Sequence, residues 1–221
     1  MKQAMRPYVI RQGDHLTKLA AAMGFAAEEV WTDPANEGLR ASRADSNMLA
    51  PGDVLWVPVT PKEGLPISPG GIRKFVATIP KVRVDVLLRD GVKVLGNEPY
   101  VLEGLSQPVM GTSDREGKLT ILAPAHTREV SLRLPERGMV LPVRIGDLDP
   151  PEERSGVRQR LAHLGYHGLE PWTRSEGRRE AADEEERLRR AIRRFQEDRG
   201  LNVTGDADEA TRTALIAVHG S

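Results

Sequence analysis

Three differently spaced sets of apolar positions divide this chain. The first begins with Tyr8-Val9-Ile10, a short strand signal, after which Leu16, Leu19, Ala20 and Met23 fall at i, i+3, i+4 and i+7, one face of a helix. Asp14 is the residue type that caps such a helix, and Gly24 stands where its C-terminus would take a left-handed turn. A second short helix is predicted from Ala26 to Trp31. The polar residues from Asp33 to Asp45 read as a loop, Pro51-Gly52-Asp53 as a turn, and Val54–Pro58 as a closing strand.

Period-two alternation takes over further along, in Val82–Val86 and again in Glu129–Leu134. Tyr100–Leu102, Lys118–Leu122 and Met139–Ile145 are further strand candidates. The turns Arg89-Asp90-Gly91 and Thr112–Gly117 separate them, and several short strands in this order predict an antiparallel β-sandwich. The third set is helical once more. Its stripes are Val157, Leu161 and Leu164; Leu188, Ala191, Ile192 and Phe195; and Thr211, Ala214, Leu215 and Val218. Gly165 and Gly200 end the first two helices, and Asp206 to Glu209 reads as a capped start for the third.

The predicted fold class is therefore multidomain α+β. A module at residues 1–60 is followed by a Pro/Gly-rich linker at 61–71, a β-sandwich at 72–149 and a three-helix domain at 150–221. Pro61, Pro66 and Pro69-Gly70-Gly71 mark the first joint and Asp149-Pro150-Pro151 the second.

Composition narrows the chemistry. The 32 basic and 32 acidic residues cancel, and the balance also holds within each stretch. This argues against nucleic acid as a partner, which normally calls for a basic stripe. No cysteine is present, so disulfides, cysteine nucleophiles and thiolate metal sites are excluded. No apolar run approaches the ~20 residues of a membrane-spanning helix, so no membrane insertion is expected. MKQAMRPYVIRQGD lacks the apolar core and cleavage site of a secretory signal. The expectation is synthesis in the cytoplasm, with delivery to the periplasm or cell wall left to a secretion machine.

YVIRQGDHLTKLAAAMG followed by NMLAPGDVLWVP resembles the LysM module, through Gly13-Asp14 at the first helix, the Leu49-x-Pro51-Gly52-Asp53 turn and the strand ending in Val57-Pro58. The resemblance implies a βααβ fold that binds N-acetylglucosamine glycans such as peptidoglycan. It places a sugar groove between Gly13, Asp14, His15 and Leu16 on one side and Asn47, Met48, Leu49, Ala50 and Pro51 on the other. Loop amides would pair with the acetamido group while Leu16, Met48 and Leu49 wall its methyl. Each residue also has a structural role open to it. Asp14 can be a helix cap, Met48 and Leu49 core closure, and Trp31 and Trp56 packing residues instead of sugar platforms. The stretch from Trp31 to Ser46 is longer than the family's usual connection.

GVRQRLAHLGY and LRRAIRRFQEDRGLNVTGDADEATRTAL resemble the three-helix peptidoglycan-binding-like domain. Leu161-x-x-Leu164-Gly165-Tyr166, Phe195-Gln196, Gly200-Leu201 and Val203-x-Gly205-x-x-Asp208-x-x-Thr211 carry the resemblance. A long segment from Leu169 to Glu186, including Trp172, replaces the short turn usual between the first two helices. The charged run from Arg174 to Arg194 reads as a solvated helix face.

No cofactor is implied. His163 and His167, four apart, could face a zinc ion on a continuous helix, but Gly165 lies between them and no third ligand is near. No nucleophile–base pair or acid cleft stands out, so the chain reads as no enzyme. Two readings stay open. One is a non-catalytic binder of peptidoglycan glycan strands that anchors or targets to the cell wall. The other is a structural adaptor, because the order of modules resembles LysM proteins associated with contractile, type VI-like secretion spikes. There the modules would dock spike or effector proteins.

Overall fold

The computed structural model describes residues 4–59, 78–90, 93–166 and 178–220. The linker expected at 61–71, and also His167 and Trp172, lie outside the described residues. Helix and strand are mixed, every strand pair is antiparallel, and three separate apolar clusters are buried along the chain.

The first cluster lies under a two-stranded sheet. β1 (Met5–Val9) pairs with β2 (Val54–Pro58) in the register Pro7↔Trp56 and Val9↔Val54. Leu55 and Val57 point inward and are fully buried, whereas Val54 and Trp56 face out. Packed beneath are α1 (Leu16–Met23) and α2 (Ala27–Thr32), through Leu16, Leu19 and Val30.

Two expectations need correction here. The cap of α1 is His15, whose Nδ1 accepts from the Lys18 amide at 3.3 Å, and not Asp14. The Asp14 carboxylate is already occupied, accepting from Tyr8 Oη, the Arg11 amide and Lys18 Nζ, so it closes the preceding turn. The loop expected from Asp33 to Asp45 instead holds a 3-10 turn at Pro34–Asn36 and a third helix, α3 (Glu37–Ser42). Asn36 explains why this insertion is ordered. Its side chain is buried, donates to the carbonyls of Val30 and Trp56 at 2.8 Å, and accepts from the Trp56 amide at 2.7 Å. The amide thereby supplies the hydrogen bonds that a third strand would give to β2.

The second cluster lies between two sheets. β3 (Lys81–Leu87) pairs with β8 (Lys118–Pro124). In the other sheet β6 (Pro99–Glu103), β7 (Val109–Thr112), β9 (Glu129–Leu134) and β10 (Met139–Arg144) stand in the order β10-β9-β6-β7. Alternation places Leu119, Ile121 and Ala123 of β8 and Val130, Leu132 and Leu134 of β9 in one shared core. Where a simple turn was expected, Arg89-Asp90 (β4) pairs with Lys93-Val94 (β5) in a short ribbon.

The third cluster joins three helices: α4 (Arg154–His163), α5 (Arg178–Asp198) and α6 (Glu209–His219). Val157, Leu161, Leu188, Ala191, Ile192, Phe195 and Leu215 fill it, which are the positions picked out by helical spacing. Gly156 is required where α4 begins, since a Cβ there would stand 2.0 Å from the Pro150 carbonyl oxygen.

Candidate functional site

The two loops at residues 13–16 and 47–51 do come together. The Leu16 amide donates to the Ser46 carbonyl at 3.2 Å, and the Thr17 amide and hydroxyl both donate to Asn47 Oδ1, at 3.0 and 2.9 Å. Most of their residues are buried. Gly13, Asp14, His15, Leu16, Leu49 and Ala50 are buried, Met48 is half-buried, and only Asn47 and Pro51 are exposed.

Two different neighbours cover them. Leu16 and Leu49 belong to the module's own core. Gly13 and His15 are covered from outside by the segment leaving β10. A Cβ on Gly146 would stand 3.1 Å from His15 Cδ2 and 3.3 Å from the Gly13 carbonyl oxygen, and one on Gly13 would stand 3.2 Å from Asp147 Oδ1. Both glycines have positive φ, 79° and 83°, a backbone conformation that favours glycine on each side of this contact.

Titratable groups around the loops are shifted from their ordinary values. Burial raises the Asp14 pKa, but hydrogen bonds from Lys18, Tyr8 and the Arg11 amide outweigh it and hold the carboxyl below its usual range. For His15, burial lowers the pKa, Lys18 adds to that, and Asn47, Asp14 and the Ala125 backbone oppose it. Its Nε2 has no hydrogen-bond partner. A pH dependence follows. An unfolded His15 takes up a proton near 6.5 and the folded one resists it, so between those two pKa values the unfolded state binds more protons. Stability should fall as pH drops from about 6.5 toward the lower folded value and then level off. This step is separate from the loss of Asp14 and Asp53 stabilisation, which comes below the carboxylate value of 3.8. Burial and Arg160 also lower the pKa of His163, which adds to the same step. Urea melts from pH 7.5 to 5 should record this step, and His15→Asn, which keeps a capping side chain, should shrink it. An unchanged step in that variant would assign it elsewhere.

The second candidate surface lies on α6. Asp208, Glu209, Ala210, Thr213, Ala214 and Ala217 line a shallow, open depression. Asp208 caps the helix by accepting from the Thr211 amide at 2.8 Å, and this bond holds its carboxyl below the usual range. Two carboxylates beside alanine methyls can take a ligand that carries an amine and small apolar groups.

The remaining candidates take other roles. Phe195 is fully buried, with the Tyr166 ring edge-on at 5.4 Å. Trp31 packs on the first core, whereas Trp56 is 39% exposed on the outer face of the two-stranded sheet. His163 meets His219, Nδ1 to Nε2, at 2.9 Å across the ends of α4 and α6. Among the described residues there is no group of three or more His, Asp or Glu side chains placed to hold a metal ion, and no helix is long and apolar enough to cross a membrane. Sequence reasoning missed Gln12, Arg43, Glu153 and Arg160, which join the first module to residues 147–160. Their types look like ordinary surface residues, and only Arg160 carries a sequence hint, sitting one position before the Leu161 of the apolar stripe.

Compared with family models, residues 151–215 match the one described as "Putative peptidoglycan binding domain". The match spans α4, α5 and α6 as far as Leu215 and leaves residues 1–150 outside it. No curated protein and no solved structure matches the chain. The C-terminal domain is thus of a peptidoglycan-binding type, and peptidoglycan is the partner it suggests.

Proposed function

We propose that this chain is a non-catalytic peptidoglycan-binding protein that anchors or targets to the bacterial cell wall. The observation that carries this reading is the match of residues 151–215 to a peptidoglycan-binding family, over three helices that share a buried core. The LysM resemblance of residues 8–58 supports it and adds N-acetylglucosamine glycan as the ligand of the first module. In this reading the place of action is the wall. Two weak sites on one chain gain avidity when both can engage one polymer.

Purified peptidoglycan sacculi test this directly. The full chain should pellet with them. Thr213→Arg, an exposed position in the α6 depression, should shift most of the chain to the supernatant without changing the circular dichroism spectrum. A wild-type chain that stays in solution would end the wall-binding reading. A Thr213→Arg chain that pellets normally would move the contact away from α6.

A second reading rests on a different observation. The loops that resemble a sugar groove are packed against residues of the same chain. Modules used in this way fit a structural adaptor, such as a component docked to a contractile, type VI-like secretion spike, with protein instead of glycan as the partner.

A further inference from the structure

Residues 146–160 close over the first module's two loops by several independent contacts. Gln12 Nε2 donates to the Asp147 carbonyl at 2.9 Å and to Asp149 Oδ1 at 3.3 Å. Arg43 grips Asp53 with two hydrogen bonds of 2.8 Å and extends Nη2 to Glu153 Oε1 at 2.6 Å. Arg160, fully buried, donates Nη1 to the carbonyls of Asp149 and Gly156 and reaches Met48 Sδ with Nη2 at 3.2 Å. Gln159 holds the covering segment in shape, accepting from the Asp149 amide at 2.7 Å and donating to the Asp147 carbonyl at 3.1 Å.

Much of this joint is polar. Its ion pairs and hydrogen bonds, Arg43 to Glu153 and Gln12 to Asp147 and Asp149 among them, join groups that can pair with water once the joint opens. A permanent domain interface of this kind would be expected to bury mainly apolar groups. Closed, it hides Gly13 and His15, two of the residues that would meet an acetamido group.

We propose that the segment Gly146–Arg160 is an autoinhibitory cap, and that the first module binds N-acetylglucosamine oligomers only after the cap releases. This rests on the reading of that module as a glycan binder. Its consequence is a gate on the first module's site. Glu153 and Arg160 belong to the same domain that the peptidoglycan-binding family covers, so that domain holds the first module closed until the chain opens. A site available in about 1–10% of molecules binds its ligand about 10- to 100-fold more weakly than the open site.

The double variant Gln12→Glu/Glu153→Arg tests this in the full chain. It sets a carboxylate against Asp149 and a guanidinium against Arg43. Both changed side chains are outside the buried cores. Two readouts are needed: hydrogen exchange of residues 13–16, and calorimetric titration with chitopentaose. The expected result is faster exchange at 13–16 together with binding about tenfold or more tighter than wild type. Equal binding by both proteins would overturn the gate and leave the glycan reading standing. Faster exchange with no binding in either protein would overturn both the gate and the glycan reading of this module. Unchanged exchange at 13–16 would show that these contacts do not hold the cap, and would overturn the proposal.

Discussion

Phe195→Ala should unfold the C-terminal helical domain and release the chain from sacculi. Phe195 is fully buried, lies at the centre of the third cluster, and packs beneath Tyr166. Truncating a buried phenylalanine costs about 3–5 kcal/mol, through lost transfer energy and the cavity left behind. A single core in a domain of this size rarely supplies more than about 3–5 kcal/mol in total. The loss therefore consumes the whole margin. Arg199, whose guanidinium sits 5.7 Å from the centre of the same ring, is the contrast. Arg199→Ala removes an exposed cation–π contact, worth about 0.5–1 kcal/mol, and an exposed polar contact with Tyr166, and should leave the domain folded. Urea melts followed by circular dichroism distinguish the two. A Phe195→Ala chain that retains its helical signal and still pellets would refute the claim that this core carries the binding domain. Because α4 also holds the cap, the same variant should speed hydrogen exchange at residues 13–16. This links the fold of one domain to the accessibility of another.

The helices of that domain were legible because burial there follows one period. Leu161, Phe195 and Leu215 lie on stripes that only a 3.6-residue repeat explains, and all are fully buried. The inward face of a strand in the second cluster was legible in the same way, since Glu129–Leu134 alternates and its even positions face the core. Three features were hidden. Helix α3 presents a solvated surface, and its only apolar contact to the core is Leu39, so no stripe announces it. The cap of α1 depends on which of two adjacent polar residues is already engaged, and Tyr8, six residues away, decides that by taking Asp14. The cap over the loops was invisible for a third reason. Arg43 and Glu153 are 110 positions apart, and each looks like an ordinary charged surface residue until the fold brings them together. The candidate groove residues were thus identifiable from local motif, but their accessibility is a tertiary property that no local pattern encodes.

Gln196→Leu should destabilise the same domain by about 2–3 kcal/mol, although the two side chains are close in size. The sequence marks Gln196 only as part of a motif, and the geometry gives the physical reason for a polar residue there. The side chain is fully buried beside Phe195. Its Oε1 accepts from the amides of Thr204 and Gly205 at 3.0 and 2.9 Å, and its Nε2 donates to Thr204 Oγ1, the Asp206 carbonyl and Thr211 Oγ1 at 3.1, 3.0 and 2.9 Å. One amide thus ties the loop after α5 to the start of α6. Leucine would keep the volume and strip every partner. Thr204 is exposed and its amide can turn to water, but Gly205 is buried and its N–H would be left alone, along with the buried Thr211 hydroxyl. Each orphaned buried group costs about 1–3 kcal/mol, which exceeds what the added apolar contact returns. In a domain of this size that corresponds to a fall in Tm of about 10–20 °C. Hydrogen exchange should localise the damage to residues 204–206, beside the Asp208 and Glu209 that edge the α6 depression. Sacculus binding should therefore weaken at temperatures where the helices remain folded, unlike in Phe195→Ala. A melting temperature unchanged from wild type would mean that the loop holds its shape without the amide, and that the Gln196 network is a consequence of the fold and not one of its supports.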